Sequence, residues 1–345
     1  ISPEGVHVVE YRNNLPLRLL GTRLSSLMNR LNALKLARIM PADEYVIWSF
    51  FPTTLARHLA RSNAGSKVIY HVVDPYIDRP NDRSFARAAD LVVAINPWYL
   101  NYYHRVNANC ILIPHGAQPS NRQFDPDEVQ ALRARFGRFA VLASGLSRSL
   151  NFPLLLQFAR SQPEVPLVIV GKRFPLPSQA QALSDELFAL PNVHYLGVLH
   201  PDRLKNLVHA ATVGLVAYDF EPTRAVPTEA GRTPLKALTY LSQHCPAVST
   251  NNSYVPELEG LGFFKAENEA HFLHLADEVL SGKRAVDVSA VDRYLDTVAY
   301  SALSARILEA LQAKRAEEPR TAGKQRIAQG HPVLIVSNEA WDGPR

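Results

Sequence analysis

Cysteine is scarce: Cys110 and Cys245 are the two in 345 residues. Each lies in or beside an apolar, strand-like run, and neither belongs to a C-x-x-C or Cys/His spacing, which argues against a disulfide framework or a structural zinc site. Long hydrophobic runs are missing too. None approaches the roughly 20 residues that cross a bilayer, and the first residues carry no basic-then-apolar signal pattern, so a cytoplasmic location is expected. No G-x-G-x-x-G follows a predicted strand with an acidic residue about 20 positions on, which argues against a hydride-transferring dinucleotide enzyme. Nor is there an aromatic RNA-binding motif, a helix-turn-helix pattern or a repeat with a period of about 20 to 50 residues. A nucleic-acid partner, a solenoid and a propeller are all unsupported.

What is present is the balance of a soluble globular protein, 47% hydrophobic and 20% charged. At this length two domains, each with its own core, are expected. A net charge of +5 and a pI near 9.2 suit a phosphate-rich ligand, an anionic membrane face or a nucleic acid, and the sign alone does not choose. Short β-branched and aliphatic runs alternate with longer amphipathic stretches, the pattern of βαβ units and parallel sheets. Strands are predicted at 6–11, 45–49, 67–73, 91–95 and 110–113, and a second series at 139–144, 166–170, 193–196, 213–217 and 247–249. Helices are predicted at 84–88, 127–136, 152–160, 234–242 and 271–281, among others. Two strand-helix series imply two sheets, with the joint in the polar stretch 119–127 and its two prolines.

The C-terminus breaks the order. After a charged stretch, 313–329, expected to be a mobile linker, residues 332–337 read as a buried strand followed by the turn-like Trp341 to Arg345. The run at 6–11 is short and lacks a glycine-bearing turn. The strand at 332–337 is therefore predicted to complete the N-terminal sheet, because a parallel sheet covered on both faces needs continuous aliphatic strands and this run has no partner nearby in sequence.

The stretch from Arg232 through Pro234, Leu235, Lys236 and Thr239 to Tyr240, continuing to Pro246-Ala247-Val248-Ser249, resembles the donor-binding signature of retaining family 4 GT-B glycosyltransferases. It departs from that signature at Thr239, where the family places a ribose-holding glutamate, and at Gly231, eight residues earlier, where it places another. A closer resemblance is to the xanthan-type glucuronosyltransferase, an inverting, membrane-associated GT-B enzyme whose helix also lacks that glutamate. It runs thinly through Lys67 to Asp74, Pro114-His115-Gly116, Ala217-Tyr218, the Lys236 helix and on to about Phe264, and the turn after the family's first strand resembles 333–345.

These resemblances imply an α/β GT-B fold, two Rossmann-like domains with parallel sheets facing a cleft. Residues 1–122 would form the acceptor-side domain, 123–312 the donor-nucleotide domain, and 313–345 the linker and returning strand. The implied activity is transfer of a sugar from a nucleotide-sugar, UDP-linked, to a glycan or lipid-linked acceptor in surface polysaccharide synthesis, inverting rather than retaining.

Lys236 falls in the first turn of a predicted helix, where an ammonium and unpaired N–H groups suit a pyrophosphate. A lysine on a solvated helix face is the plainer alternative. Gly145 with Arg148, and Gly171 with Lys172, follow predicted strands at the carboxyl edge where open α/β sheets bind ligands; ordinary turn chemistry is the alternative for both. By resemblance Val198 and Leu199 meet the base, Tyr218 lies near the donor, and Leu235 and Thr239 join Lys236 in the donor set. Asp74 matches the position of the base that deprotonates the acceptor hydroxyl, though an aspartate before a proline also serves as a turn residue. His115, Asp78, Gly343 and Arg345 are candidates for the acceptor or the cleft.

No metal-ligand cluster and no Asp-x-Asp at a strand end is visible, so donor binding without a metal or other cofactor is expected. From residue 15 to 40, Leu20, Leu24, Leu27, Leu31 and Leu34 form a stripe punctuated by Arg18, Arg23, Arg30, Lys35 and Arg38. Such a stretch either lies on an anionic membrane, giving a peripheral location on its inner face, or completes a core. Thr239 keeps open a different function class, a catalytically silent nucleotide-sugar-binding or scaffold protein.

Overall fold

The computed structural model describes residues 22–39, 46–62, 66–74, 76–77, 79–118, 123–219, 235–250, 258, 260–317 and 333–336. The predicted strand at 6–11, the turn from Trp341 onward, and most of the 313–329 stretch lie outside them. The described chain forms two compact units, one from residues up to Leu112 together with those from Leu308 on, the other from Ile113 to Ile307.

The first unit opens with α1 (Thr22–Ile39) and continues through β1 (Val46–Ser49), α2 (Thr54–Ser62), β2 (Lys67–Val72), α3 (Asp82–Ala88), β3 (Leu91–Ala94), α4 (Pro97–His104) and β4 (Cys110–Leu112). The second runs through α5 (Pro126–Phe136), β5 (Ala140–Ala143), α6 (Phe152–Ser161), β6 (Leu167–Val170), α7 (Ser178–Phe188), β7 (Val193–Tyr195), α8 (Pro201–Ala210) and β8 (Val213–Val216). It goes on through α9 (Leu235–Leu241), β9 (Ala247–Thr250), β10 (Phe263–Ala266), α10 (Glu269–Leu280), α11 (Val288–Thr297) and the start of α12 (Tyr300–Glu317). A last strand, β11 (Val333–Val336), belongs to the first unit.

Helix starts follow local chemistry. Asn96 before Pro97 accepts from the Tyr99 N–H at 2.8 Å, Asp125 before Pro126 from Asp127 at 3.0 Å, and Asn151 from Leu154 at 2.9 Å. Each satisfies an otherwise orphaned donor, and proline loses nothing at the first helical position.

The first sheet has the order β11-β1-β2-β3-β4, all parallel. β11 pairs with β1 from Val46↔Val333 to Ser49↔Val336, so the C-terminal strand lies beside the strand that opens the described sheet. The second sheet has the order β10-β9-β8-β5-β6-β7, also parallel. Its edge strand β10 was not read in the sequence, because Lys265 interrupts the apolar pattern and the run is bounded by Gly260 and Gly262.

The division falls after Leu112, ahead of the 119–127 stretch, for a visible reason. Ala117 donates to the Val298 carbonyl at 2.9 Å and accepts from the Tyr300 N–H at 3.1 Å, which ties the segment after β4 into the second unit. Helix α12 runs to Glu317, so the charged stretch begins as helix rather than as linker at Ala313.

Each unit has its own core. In the second, Leu142, Leu155, Phe158, Ile169, Leu215, Val248 and Phe272 meet between the sheet and its helices. In the first, Ile47, Leu59, Tyr70, Phe85, Val92 and Tyr103 do so. That core holds a charge-bearing group: Asp82 is fully buried, and its Oδ1 accepts from the Tyr70 hydroxyl at 2.7 Å and the Tyr103 hydroxyl at 2.9 Å.

Helix α1 turns the described leucines of the stripe outward. Asn29, Asn32 and Ala33 are buried, Asn29 donates to Thr54 Oγ1 at 2.8 Å and Ser26 pairs with His58 at 3.2 Å. The polar face thus packs on α2, while Leu24, Leu27, Leu31 and Leu34 stand 45–50% exposed and do not enter the core. No helix among the described residues is long and apolar enough to cross a membrane.

Burial raises the Asp82 carboxyl above its ordinary value, and the two tyrosine hydrogen bonds offset this in part. A group with a raised folded-state pKa contributes stability fully below its unfolded value and loses that contribution as pH rises through the folded one. Asp82→Asn is expected to flatten the fall in thermal midpoint of the first unit from about pH 4 toward neutrality. Parallel midpoint profiles for variant and wild type would contradict the assignment.

Candidate functional site

The second sheet reverses direction at β5: β6 and β7 follow on one side, β8 and then β9 on the other. The carboxyl ends of β5 and β8 therefore flank the topological switch point, where open α/β sheets leave a crevice. The loop after β5 is held from both sides. Leu146 donates to the Lys172 carbonyl at 2.8 Å and accepts from Phe174 at 3.0 Å, while Asn151 donates to the Ala217 carbonyl at 3.1 Å. The loop bearing Gly145 and Arg148 is thereby fixed to the segments that carry Lys172 and Tyr218.

Gly171 has φ +147°, and a Cβ there would stand 2.0 Å from the Ser144 carbonyl oxygen. Close packing of the β5 and β6 turns accounts for this glycine without any ligand. A Cβ on Gly145 would meet the Phe174 ring at 2.9 Å, so this half-exposed aromatic covers Gly145. The Lys172 ammonium lies 5.4 Å from the centre of the same ring, and Arg173 is stacked between Phe188 at 4.1 Å and Tyr195 at 4.3 Å. Arg148 is exposed, Val198 is strongly exposed and Leu199 half-buried at the end of β7.

Lys236, the second residue of α9, reaches back to the segment after β8. Its Nζ donates to the Tyr218 hydroxyl and lies 4.7 Å from the centre of that ring. Leu235 is exposed beside it. Thr239, at the position where the resemblance expects a carboxylate, donates its hydroxyl to the Leu235 carbonyl at 3.2 Å, within its own helix. The ten donor candidates of the sequence thus belong to one sheet edge and the helix that follows β8.

Sequence reading passed over Tyr240, the next residue in α9. It is fully buried, and its hydroxyl accepts from the Ala143 N–H at 2.9 Å and donates to the Leu215 carbonyl at 3.1 Å, with the Val141 carbonyl at 3.4 Å. Its ring lies on Gly214, where a Cβ would come within 2.6 Å. An isolated glycine inside a strand was the available signal, since it marks close approach by another group.

In the first unit Asp74 is exposed two residues past β2. The Tyr76 hydroxyl reaches its Oδ2 at 3.5 Å, and burial together with the carboxylate pushes that phenol up to about 12. It therefore stays a donor at neutral pH. Phe51 meets Tyr76 edge-on at 4.9 Å, and Trp48 Nε1 donates to His71 Nδ1 at 3.2 Å. His115 is half-buried in the segment that enters the second unit. Asp78, Gly343 and Arg345 lie outside the described residues. Among the described residues no three His, Cys, Asp or Glu side chains are grouped to hold a metal ion.

No protein-family model and no curated protein sequence matches the chain. Solved structures do. Anabaena HepE in complex with UDP and glucose superposes with a TM-score of 0.62 at 16% identity, over 87% of this chain and 84% of that one. Sucrose-phosphate synthase from Thermosynechococcus elongatus gives 0.63 at 15% identity, over 92% and 87%. The lipopolysaccharide outer core galactosyltransferase WaaB gives 0.56 at 14%, over 85% and 81%. These neighbours are glycosyltransferases, and the likeness establishes that this chain has the GT-B fold.

Proposed function

We propose that the chain is a glycosyltransferase that moves a sugar from a UDP-linked donor to a glycan or lipid-linked acceptor in surface polysaccharide synthesis. The observation that carries this is the Lys236 ammonium set against Tyr218 at the switch point of the second sheet, beside the loop of Gly145 and Arg148. A diphosphate entering there meets a primary amine, an exposed guanidinium and backbone N–H groups, so its charge is balanced by the protein's own cations and needs no metal. Neighbours of the same fold that hold UDP, one of them with glucose, support the nucleotide-sugar.

An acceptor hydroxyl would then attack the anomeric carbon as the carbon–oxygen bond to the diphosphate breaks and UDP departs, its proton passing to Asp74, an exposed carboxylate that accepts from Tyr76. One direct displacement of this kind inverts the anomeric carbon, the outcome in the xanthan-type enzyme that the sequence resembles. A second reading, a nucleotide-sugar-binding protein without turnover, draws on Thr239, whose hydroxyl is committed to its own helix. Hydrolysis or transfer from a nucleotide-sugar separates the two.

The membrane partner fits α1. Its exposed leucines lie among Arg30, Lys35 and Arg38, the helix contains no acidic residue, and α2 adds Arg57 and Arg61. Apolar side chains flanked by cations suit the headgroup layer of an anionic bilayer, and a peripheral location there would bring a lipid-linked acceptor to the enzyme.

Lys236→Ala is expected to weaken UDP binding roughly tenfold in calorimetry while leaving the fold intact. Unchanged affinity removes the diphosphate assignment. Asp74→Asn should keep donor binding and lose most transfer activity; near-normal turnover in that variant would move the base elsewhere. Binding of the chain to vesicles should require anionic lipid, weaken as salt is raised, and drop when Leu27 and Leu31 are both changed to Ser. Partition that ignores lipid charge would leave α1 without a membrane role.

A further inference from the structure

β5 and β8 pair through Ala140↔Val213 and Val141↔Gly214, and among the described residues their register goes no further. Their neighbours keep pairing: β5 with β6 to Ala143↔Val170 and β8 with β9 to Val216↔Ser249. In the gap lies the Tyr240 hydroxyl, bonded to Ala143 on one strand and Leu215 on the other. Burial holds this phenol far above its ordinary value, so it keeps its proton and acts as both acceptor and donor.

The geometry separates the work of the ring from that of the hydroxyl. The ring fills the space over Gly214, and a phenylalanine ring would fill it equally well. The hydroxyl replaces the strand-to-strand bonds, and without it a buried N–H and a buried carbonyl lose their partner. It is also the point at which α9 is fastened between the two strands, one helical turn from Lys236 on the same face.

We infer that Tyr240 is a positioning residue for donor binding: its hydroxyl holds the carboxyl ends of β5 and β8 apart and sets α9 so that the Lys236 ammonium meets the diphosphate of a nucleotide. The inference rests on the functional reading above. Ala143 stands two residues before Gly145 and Leu215 three before Tyr218, so any closing of the gap is transmitted directly to both walls of the crevice. Tyr240 itself, fully buried, touches no ligand.

The test is UDP binding by calorimetry to the full chain and to Tyr240→Phe, Lys236→Ala and the double variant, with Tyr103→Phe as the control. Tyr103→Phe also removes a buried, hydrogen-bonded hydroxyl, but from the first unit. Tyr240→Phe should remain folded and bind UDP roughly tenfold more weakly, and Tyr103→Phe should bind it normally even if it melts earlier. Because Tyr240 acts in part through Lys236, the double variant should lose less than the sum of the two single losses, a non-additivity that general loosening of the unit would not produce.

Normal affinity in Tyr240→Phe, or additive losses in the double variant, overturns the inference. A wild-type chain that binds no UDP overturns the functional reading itself, a distinct result. Should Tyr240→Phe not fold, fluorotyrosine placed at 240 keeps the hydroxyl. Its fluorine resonance should move on UDP addition in the wild-type background and move less, at equal UDP saturation, with Lys236→Ala, and a resonance that UDP never moves also overturns the inference.

Discussion

Past Val141 and Gly214 the central strands of the second sheet are joined through a side chain, and the carboxyl edge of that sheet depends on the joint. A parallel sheet that reverses its winding at β5 must let the carboxyl ends of β5 and β8 part, because the connections that follow them leave toward opposite faces. Parting exposes backbone groups in the middle of a core, where an unmet N–H or carbonyl costs about 1–3 kcal/mol. Tyr240 meets them from α9, Gly214 makes room for its ring, and the loop of Gly145 and Arg148 is stitched across to Ala217 just beyond. Packing, backbone satisfaction and the placing of Lys236 are thus one arrangement seen at three distances from the sheet.

The first unit meets a similar demand differently. Its buried polar centre is Asp82 between Tyr70 and Tyr103, a carboxyl that burial in an aromatic core raises above its ordinary value while the two tyrosine hydrogen bonds partly offset the rise. Its helix α1 buries asparagines and an alanine and shows leucines outward, the reverse of a surface helix that faces only water. One unit thus sets Lys172, Arg173 and Lys236 against aromatic rings at a sheet edge, and the other presents an apolar, basic helix along with an exposed carboxylate.

Much of this was legible in the residues. Apolar runs of three to seven residues marked ten of the described strands, and the Pro246-Ala247-Val248-Ser249 strand with the Lys236 helix before it carried the resemblance to a donor-binding signature. Other features were not legible. For Gly171 the sequence leaves a ligand-binding turn and ordinary turn chemistry both open, and its φ and the nearness of the Ser144 carbonyl add a packing reason for glycine that the sequence does not show. The leucine stripe of α1 was visible but its direction was not, because periodicity defines a face without saying what the face meets.

The sequence by itself determined the two parallel α/β series and the run of Val333 to Val336 that requires a sheet, since each follows from local propensity and apolar periodicity. The tertiary structure alone decided that β11 lies against β1, that α1 turns its leucines outward, that Arg173 is sandwiched between two rings, and that a tyrosine hydroxyl stands in for the bonds between β5 and β8. These are contacts between residues tens to hundreds of positions apart, and their partners are selected by which surfaces and backbone groups remain unsatisfied once the sheets have formed.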